Sequence, residues 1–349
     1  MPVSIHSRWG GSLVHSLYGV ENPLMDIIAH VDYGFLSRFG KQPGTMHLVE
    51  YAEVRALLKE IGSFHTTPGG SAANTTRGIA WLGGPAGREL SESVLGPREV
   101  SPVGFAPPVF NGAIGNDDTG NDFAAQIEGE GVSSVLVRKG TPTGTSVILV
   151  TPDGERTMNT FLGACRDFQP ADLDLARLAD SRMLYLTGYL WDTDNQRRAA
   201  EKASAFARER GSRISIAFDL ADPFAVRRFG DQFRSWIPGN VDILFGNREE
   251  LAILMGSACD EDCVSEASAL APLVVMKAGE KGCLVGWDGK CELVPGVPVR
   301  VVDTTGAGDA FAAGFLFARL AGADPLQSAR LANRVASRIV GVEGCRYGA

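Results

Sequence analysis

The sequence of 349 residues contains few of the side chains from which metal centres and nucleic-acid surfaces are built. It has five histidines and six cysteines, and no cysteine lies in the close pairs, with histidine nearby, that zinc sites require. The cysteines, at positions 165, 259, 263, 283, 291 and 345, are therefore predicted to be reduced and mostly buried thiols. Lys and Arg number 33 against 41 Asp and Glu, for a formal net charge of −8. This acidic balance, with no basic run, argues against a nucleic-acid or anionic-membrane partner.

Long apolar runs, internal repeats and low-complexity segments are also missing. No stretch approaches the roughly 20 apolar residues of a transmembrane helix, and residues 1–11 have no apolar core of signal-peptide length. The Walker phosphate-binding pattern and a complete Gly-x-Gly-x-x-Gly fingerprint are absent too. We therefore expect a soluble, cytoplasmic protein. Its length is sufficient for one large α/β domain with a smaller appendage, or for two domains.

The most informative stretch is 301–315, with the sequence VVDTTGAGDAFAAGF. It predicts a short strand, a turn containing Gly306 and Gly308, and then a helix. Glycine lets the backbone approach a ligand closely, and the first amides of a helix have no intrahelical acceptor. The amides and the positive end of the helix dipole therefore favour a phosphate-sized anion. Asp309, in the first turn, is either an ordinary helix-stabilising acid or a functional carboxylate, and this stretch alone leaves both open.

Two earlier segments place polar groups where α/β folds bind ligands. The run Glu21-Asn22-Pro23-Leu24-Met25-Asp26 follows an alternating, strand-like stretch at 12–20, and polar groups at strand ends often contact ligands. Gly69-Gly70 exposes backbone before a predicted helix, on whose first turns Asn74 can reach a ligand. Each segment also has a purely structural interpretation, as an Asn-Pro turn capped by Asp26 and as a tight connection.

Short apolar strands alternate with helices in the second half of the chain. Strands are predicted at 183–186, 214–218, 241–245 and 273–276, with a helix at about 194–210. This alternation predicts a parallel sheet with helices on both faces. Hairpins turn at 152–154 and 287–289. The first has no helix attached and is predicted to belong to a second sheet, whereas the second closes one edge of the parallel sheet.

Helices are also predicted elsewhere along the chain. They are expected at about 50–61, 116–129 and 310–320, and from Asp324-Pro325 to about residue 340. A further strand is predicted at 132–137. Residues 83–108 are rich in glycine and proline and predict an extended surface loop.

Three motifs, in this order, resemble the ribokinase-like (PfkB) family of carbohydrate and nucleoside kinases. They are Gly69-Gly70-Ser71-x-x-Asn74, Asn247-x-x-Glu250 and Asp303-Thr304-Thr305-Gly306-Ala307-Gly308-Asp309. The resemblance covers residues 13–346, and residues 21–26 and 241–247 resemble the adenosine kinase branch. It implies an α/β fold: a ribokinase-like three-layer α/β/α domain with a mostly parallel central sheet, formed by 1–26, 67–136 and 163–349. A small β-rich lid is expected at 27–66 and 137–162.

The resemblance also implies a role for individual residues. Asp309 is expected to accept the proton of the acceptor hydroxyl, and Arg156 to approach the phosphates. The other expected roles are an anion hole of Gly306, Ala307 and Gly308; acceptor binding by Asn22, Asp26, Gly69, Gly70, Asn74 and Phe161; ATP binding by Asn247, Glu250, Thr305, Gly308 and Asn333; Mg²⁺ binding, through water, by Asn247 and Glu250; and K⁺ binding by Asp303 and Thr305. The aromatic and apolar residues Phe161, Tyr189, Leu190 and Trp191 either stack on a base or belong to the core.

The implied function is transfer of the γ-phosphoryl group of ATP to the 5′-hydroxyl of a ribonucleoside, with adenosine as the favoured acceptor. The expected cofactors are ATP and Mg²⁺, with K⁺ as a further candidate, and the protein is expected to be a monomer or homodimer. Residues 303–306 read Asp-Thr-Thr-Gly, the form usual among sugar kinases, where adenosine kinases often carry Asp-Thr-Asn-Gly. A sugar kinase for ribose, fructose or a similar acceptor is therefore the alternative. A catalytically silent ligand-binding relative is the alternative from a different class.

Overall fold

The computed structural model describes residues 15–97, 106–209, 214–257 and 259–348. The strands are β1 Tyr18–Val20, β2 Leu24–His30, β3 Met46–Leu48, β4 His65–Gly69, β5 Val109–Gly115, β6 Ser133–Lys139, β7 Gly144–Val150, β8 Arg156–Phe161, β9 Met183–Thr187, β10 Ser215–Asp219, β11 Ile243–Asn247, β12 Leu273–Lys277, β13 Cys283–Trp287 and β14 Lys290–Val294. The helices are α1 Tyr33–Arg38, α2 Tyr51–Glu60, α3 Ser71–Gly83, α4 Pro85–Leu95, α5 Asp118–Gly129, α6 Leu175–Ala179, α7 Asp194–Glu209, α8 Pro223–Trp236, α9 Arg248–Met255, α10 Asp260–Ala267, α11 Ala307–Leu320 and α12 Pro325–Val340.

The larger sheet has nine strands, in the order β14-β13-β12-β11-β10-β9-β1-β5-β6. Neighbours from β12 to β6 are parallel, and the β13–β14 hairpin is antiparallel at one edge. Because side chains alternate between the faces of a strand, the adjacent residues Leu244 and Phe245 lie in two separate cores. One core includes α3, α11 and α12, and the other includes α7, α8 and α10. The predicted three-layer α/β/α arrangement is confirmed.

Polar residues lie at the carboxyl ends of the parallel strands. β10 ends at Asp219, β11 at Asn247 and β12 at Lys277, and Asn247 and Lys277 are direct cross-strand neighbours. Glu21 follows the last residue of β1. Ligands of open α/β sheets bind at this edge, so the fold gathers these side chains where a site is expected.

The smaller sheet has the strand order β3-β8-β7-β2-β4. It contains the antiparallel hairpin β7–β8, so the prediction that this hairpin belongs to a second sheet is confirmed. The sequence patterns did not indicate β2 or β4. β4 contains Pro68 and Gly69, two residue types that are rare in strands, and it tolerates them because it lies at the edge of the sheet.

Three predicted lid boundaries, at 26/27, 66/67 and 136/137, fall inside strands. β2 begins at Leu24 and β4 extends to Gly69, both in the smaller sheet, whereas β6 continues to Lys139 in the larger sheet. Strand pairing explains the difference: Asp26 pairs with both Thr67 and Ser146, so residues before 27 and after 66 remain in the ladder of the smaller sheet. That this sheet acts as a lid stays a prediction.

Residues 85–95 form helix α4, so the predicted extended loop at 83–108 is wrong over this part. Pro85 occupies the first turn, where a missing N–H costs little, and Gly96 follows the helix at φ +90°. Gly87, Ser91 and Leu95 are buried at intervals of four residues, which is a helical spacing. Proline and glycine here mark the two ends of a helix. Residues 98–105 of the predicted loop lie outside the described residues.

The remaining helix predictions are confirmed, including α12, which begins after the N-cap Asp324 with Pro325 in its first turn. All six cysteines are free, and four of them are buried. In the ranges described above, no helix combines the length and apolarity needed to cross a membrane.

The core packing of Trp191 gives a first prediction. Its ring lies between 4.8 and 5.4 Å from the rings of Phe218, Phe233 and Trp236, and the residue is 3% exposed. We expect Trp191→Ala to lower the free energy of unfolding by about 3–5 kcal/mol, because it leaves a cavity in this cluster. Urea unfolding measures this, with Leu293→Ala as the exposed control, expected within about 0.5 kcal/mol of the parent. A loss below about 1 kcal/mol for Trp191→Ala would contradict the assignment of this ring to the core.

Candidate active site

A cavity of about 720 Å³ lies where the carboxyl edge of the larger sheet faces the smaller sheet. Its lining includes nine of the residues that the sequence assigned to the site: Asn22, Asp26, Gly70, Asn74, Arg156, Asp303, Thr305, Gly306 and Asp309. The structure therefore brings together residues from three motifs and from both sheets.

The turn before α11 is built around Gly306, which has a φ of +73°. A Cβ at this position would lie 2.6 Å from the Cys345 side chain, so the turn requires glycine for space as well as for conformation. The Ala307 amide donates to Thr304 O at 3.1 Å. Within the described chain, no group accepts a hydrogen bond from the amides of Gly308 or Asp309. The free donors are thus displaced by one residue from the predicted anion hole, and the Ala307 amide is already used.

The Asp309 carboxylate is held by two donors from α3. Ser71 Oγ donates to Oδ1 at 2.7 Å, and Asn74 Nδ2 donates to Oδ2 at 2.9 Å. Burial raises the pKa of Asp309, the two hydrogen bonds lower it, and the net direction is upward. Asp309 is therefore a fixed carboxylate that is more basic than an ordinary aspartate, as a general base requires.

Glu21, which the sequence analysis did not assign to the site, holds the start of α3. The residue before the helix, Gly70, has no side chain to cap it, and Ala72 N donates instead to Glu21 Oε2 at 2.7 Å. The other carboxylate oxygen accepts from Thr187 Oγ1. Burial raises the pKa of Glu21 to about 8. An acid directly after a buried strand was the available signal for this role.

Asn22 and Asp26 present complementary groups to the cavity. Gln196 donates to Asn22 Oδ1 at 2.5 Å, which leaves the Asn22 amide N–H groups as donors. Burial raises the pKa of Asp26 to about 7, and no group in the described ranges donates a hydrogen bond to its carboxylate. A Cβ on Gly69 would lie 2.4 Å from this carboxylate. A donor beside an open acceptor suits the hydroxyl groups of a sugar ring.

Three residues predicted to bind ligands have structural partners instead. Asn74 uses its amide nitrogen on Asp309 and its oxygen on Arg77 Nη1 at 3.0 Å, so it acts on the carboxylate. Phe161 packs on Tyr51, with ring centroids 5.3 Å apart, and is not part of the cavity lining. Asn333 is buried and donates to the carbonyls of residues 294 and 295, away from the cavity. Leu190 and Trp191 belong to the core, whereas Tyr189 lines the cavity.

Asn247 and Glu250 form a capping box at the start of α9. Asn247 N donates to Glu250 Oε2 at 2.7 Å, and Glu250 N donates to Asn247 Oδ1 at 2.9 Å. Burial raises the pKa of Glu250 to about 7. Across the described part of the chain there is no cluster of three His, Cys, Asp or Glu side chains suited to a metal. Because Mg²⁺ commonly keeps several waters and binds through few protein groups, these residues fit the water-mediated role predicted for them.

Arg156 connects the two sheets across the cavity. It forms an ion pair with Asp303, whose carboxylate also accepts from Thr305 N at 2.9 Å and Gly344 N at 2.6 Å. The Arg156 Nη1 group is buried without a hydrogen-bond partner. Such a donor is costly to leave unpaired, and an anion in the cavity would satisfy it. K⁺ binding at Asp303 and Thr305 stays a prediction, since Arg156 already neutralises this carboxylate.

Comparisons with known proteins agree with this geometry. The pfkB family of carbohydrate kinases matches residues 45–349. An adenosine kinase from Sinorhizobium meliloti has a similar structure, with a TM-score of 0.82 and 32% identity over 95% of this chain and 96% of that one. A probable sugar kinase from Rhizobium etli CFN 42 has a TM-score of 0.83 and 29% identity, covering 96% and 95%. An uncharacterized sugar kinase of Archaeoglobus fulgidus is 32% identical over 68% of this chain and 93% of its own length.

The environment of Asp309 generates a prediction about pH. The Ser71 hydroxyl stabilises the ionised carboxylate, so its removal in Ser71→Ala is expected to raise the pKa of Asp309 further. Phosphoryl transfer needs the ionised base, and the acidic limb of kcat against pH should therefore move to higher pH. Measurement at saturating ATP and acceptor separates this effect from binding. An unchanged limb, or one moved to lower pH, would count against Asp309 as the base.

The reference variant for this experiment is Asp309→Asn, which should abolish transfer while nucleotide binding persists. It is expected to fold, because the Ser71 hydroxyl can turn to accept from the new amide.

Proposed function

We propose, from the premise that the chain belongs to the pfkB family of carbohydrate kinases, that it phosphorylates the 5′-hydroxyl of a ribonucleoside, with adenosine as the favoured acceptor. Membership of this family makes the protein an ATP-dependent sugar or nucleoside kinase. The proposal concerns the acceptor and the residues that act on it.

The reaction requires a base, an anion site and a cationic group near the phosphates. Asp309 accepts the proton of the acceptor hydroxyl as the hydroxyl oxygen bonds to the γ-phosphorus and the bond to the ADP oxygen breaks. The free amides of Gly308 and Asp309 stabilise charge on the transferring group, and Arg156 supplies positive charge from the smaller sheet. Mg²⁺, held through water by Asn247 and Glu250, would neutralise charge on the nucleotide phosphates.

The acceptor proposal rests on one observation, an apolar row across the smaller sheet. Met46 of β3, Met158 of β8 and Ile148 of β7 are successive cross-strand partners, so their side chains lie on one face. All three line the cavity, and Met46 is 43% exposed. From the opposite wall, Phe224 at the start of α8 also lines the cavity and is 52% exposed. These apolar groups suit a flat, apolar ring system.

A polar row lies next to the apolar one. Thr160, Ser146 and Asp26 are the cross-strand partners two residues along their strands, and they face the same cavity. Ser146 Oγ and Thr160 Oγ1 lie 3.0 Å apart, within hydrogen-bond distance. A ligand that spans both rows has one polyhydroxyl part and one apolar part. A nucleoside has this division, whereas a free sugar would leave the apolar row without a partner.

A panel of acceptors with ATP and Mg²⁺ tests the proposal. Adenosine, inosine, ribose and fructose are compared by ADP release, and we expect kcat/KM for adenosine to exceed that for either sugar by about 100-fold or more, a difference of roughly 3 kcal/mol. Turnover of ribose or fructose with no turnover of any nucleoside would make the protein a sugar kinase. Retained ATP binding with no turnover at all would make it a silent relative.

The apolar row itself can be tested at Met46, which is exposed enough to change without disturbing the core. Met46→Thr is expected to raise KM for adenosine about 10-fold, because about 1.5 kcal/mol of apolar burial is lost, and to leave KM for ATP within about twofold. Leu293→Thr, at an exposed apolar position on edge strand β14, is the matched control. An unchanged KM for adenosine in Met46→Thr would remove the base from this part of the cavity.

A further inference from the structure

Lys277 lies at the centre of the polar edge of the larger sheet, and no sequence motif pointed to it. It ends β12, beside Asn247 at the end of β11. Its Nζ donates to Asp219 Oδ2 at 2.7 Å and Oδ1 at 3.0 Å. An ammonium has three N–H groups, so these two hydrogen bonds leave one donor for another partner.

The free donor of Lys277 lies close to the start of α11. A Cβ built on Gly308 would be only 3.5 Å from Lys277 Nζ. The amide of Gly308 is one of the two free amides at this helix end, so an anion bound there is within reach of the ammonium. Glycine at 308 keeps this space free of a side chain.

The charges around Lys277 keep it protonated. Burial lowers its pKa, but the carboxylates of Asp219, Glu250 and Asp309 raise it, and the net direction is upward. When ionised, these three carboxylates repel a phosphoryl group at the same place. A single fixed ammonium among them offsets that repulsion without loss of the carboxylates.

We propose that Lys277 is a catalytic residue whose third N–H binds an oxygen of the transferring phosphoryl group, beside the amide of Gly308. Asp219 is the positioning residue that aims the ammonium. During transfer the bond from the acceptor oxygen to phosphorus forms, the bond from phosphorus to the ADP oxygen breaks, and the hydroxyl proton passes to Asp309. Lys277 keeps its own proton throughout, and its contact strengthens as charge develops on the phosphoryl oxygens. This inference rests on the phosphoryl transfer of the proposed function and is independent of the acceptor's identity.

A competing role for Lys277 is purely structural, as the neutralising partner of Asp219 in a buried ion pair. The two roles differ in what happens when both charges are removed. If Lys277 only balances Asp219, then Lys277→Met/Asp219→Asn restores the activity that Lys277→Met loses. If Lys277 binds the phosphoryl group, the double variant stays as slow as the single one.

The kinetic test compares kcat and KM of these variants with whichever acceptor the parent enzyme turns over. Lys277→Met is expected to reduce kcat by about 100-fold, the usual effect of losing one preorganised donor, with KM for the acceptor within about threefold. Lys277→Arg is expected to regain part of this loss, because it retains the cation. Lys281→Met, at an exposed lysine nearby, is the control. Recovery of kcat in the double variant, or a loss below about threefold in Lys277→Met, would overturn the proposal.

A binding experiment makes the test independent of turnover. Calorimetry measures Kd for ADP and for a non-hydrolysable ATP analogue with a β,γ-methylene bridge, both with Mg²⁺. The double variant is expected to lose at least about 10-fold in affinity for the analogue and little for ADP, because only the analogue carries the γ-phosphoryl group. Equal losses for both ligands would contradict a γ-phosphoryl contact. If the parent phosphorylates a sugar instead of adenosine, the acceptor proposal fails while this result still decides the role of Lys277.

Discussion

The two hydrogen bonds from α3 to the Asp309 carboxylate are the interaction on which the rest of the site depends. They join two helices that each begin after a glycine with positive φ, Gly70 and Gly306. The helices can approach because Gly78 of α3 has no side chain where a Cβ would lie 2.6 Å from Ala313 of α11. One carboxylate is thereby held at the mouth of a helix whose first free amides face the same cavity. Base and anion site are positioned by a single contact between helices.

Supporting this contact requires the protein to bury several carboxyl groups. Glu21 anchors the start of α3, and Asp26 faces the cavity beside it; burial raises the pKa of Glu21 to about 8 and that of Asp26 to about 7. Desolvation favours the protonated form of each, and a folded-state pKa above the unfolded one means that the stability they contribute is lost as the pH rises through that range. Lys277 and Arg156 place fixed positive charge among these acids. The site therefore combines negative groups that handle a proton with cations that suit a phosphoryl group.

The smaller sheet contributes chemistry as well as cover. Its parallel and antiparallel pairings align an apolar row containing Ile148 with a polar row containing Asp26, so one face offers two kinds of surface to a ligand. Arg156, on the same sheet, reaches across the cavity to Asp303 of the larger domain. The movement of this sheet relative to the large domain would therefore change both the acceptor surface and the cationic group together.

The amino-acid sequence by itself determined the elements and the reaction class, because those depend on local signals. Alternating strands and helices, the glycine turn before Asp309 and the Asp324-Pro325 helix start are each readable within a few residues, and the order of three motifs indicated the family. Local composition failed where the same residue types have two uses: proline and glycine around residues 85–96 cap a helix, and Pro68 lies in an edge strand.

Only the tertiary structure decided which polar groups meet. Asn74 turns to Asp309, Arg156 pairs with Asp303, and Lys277 lies beside Gly308. These partners are far apart in the chain, and their contacts are set by strand register and helix packing. No local pattern encodes those two features, since each depends on how distant elements fit together.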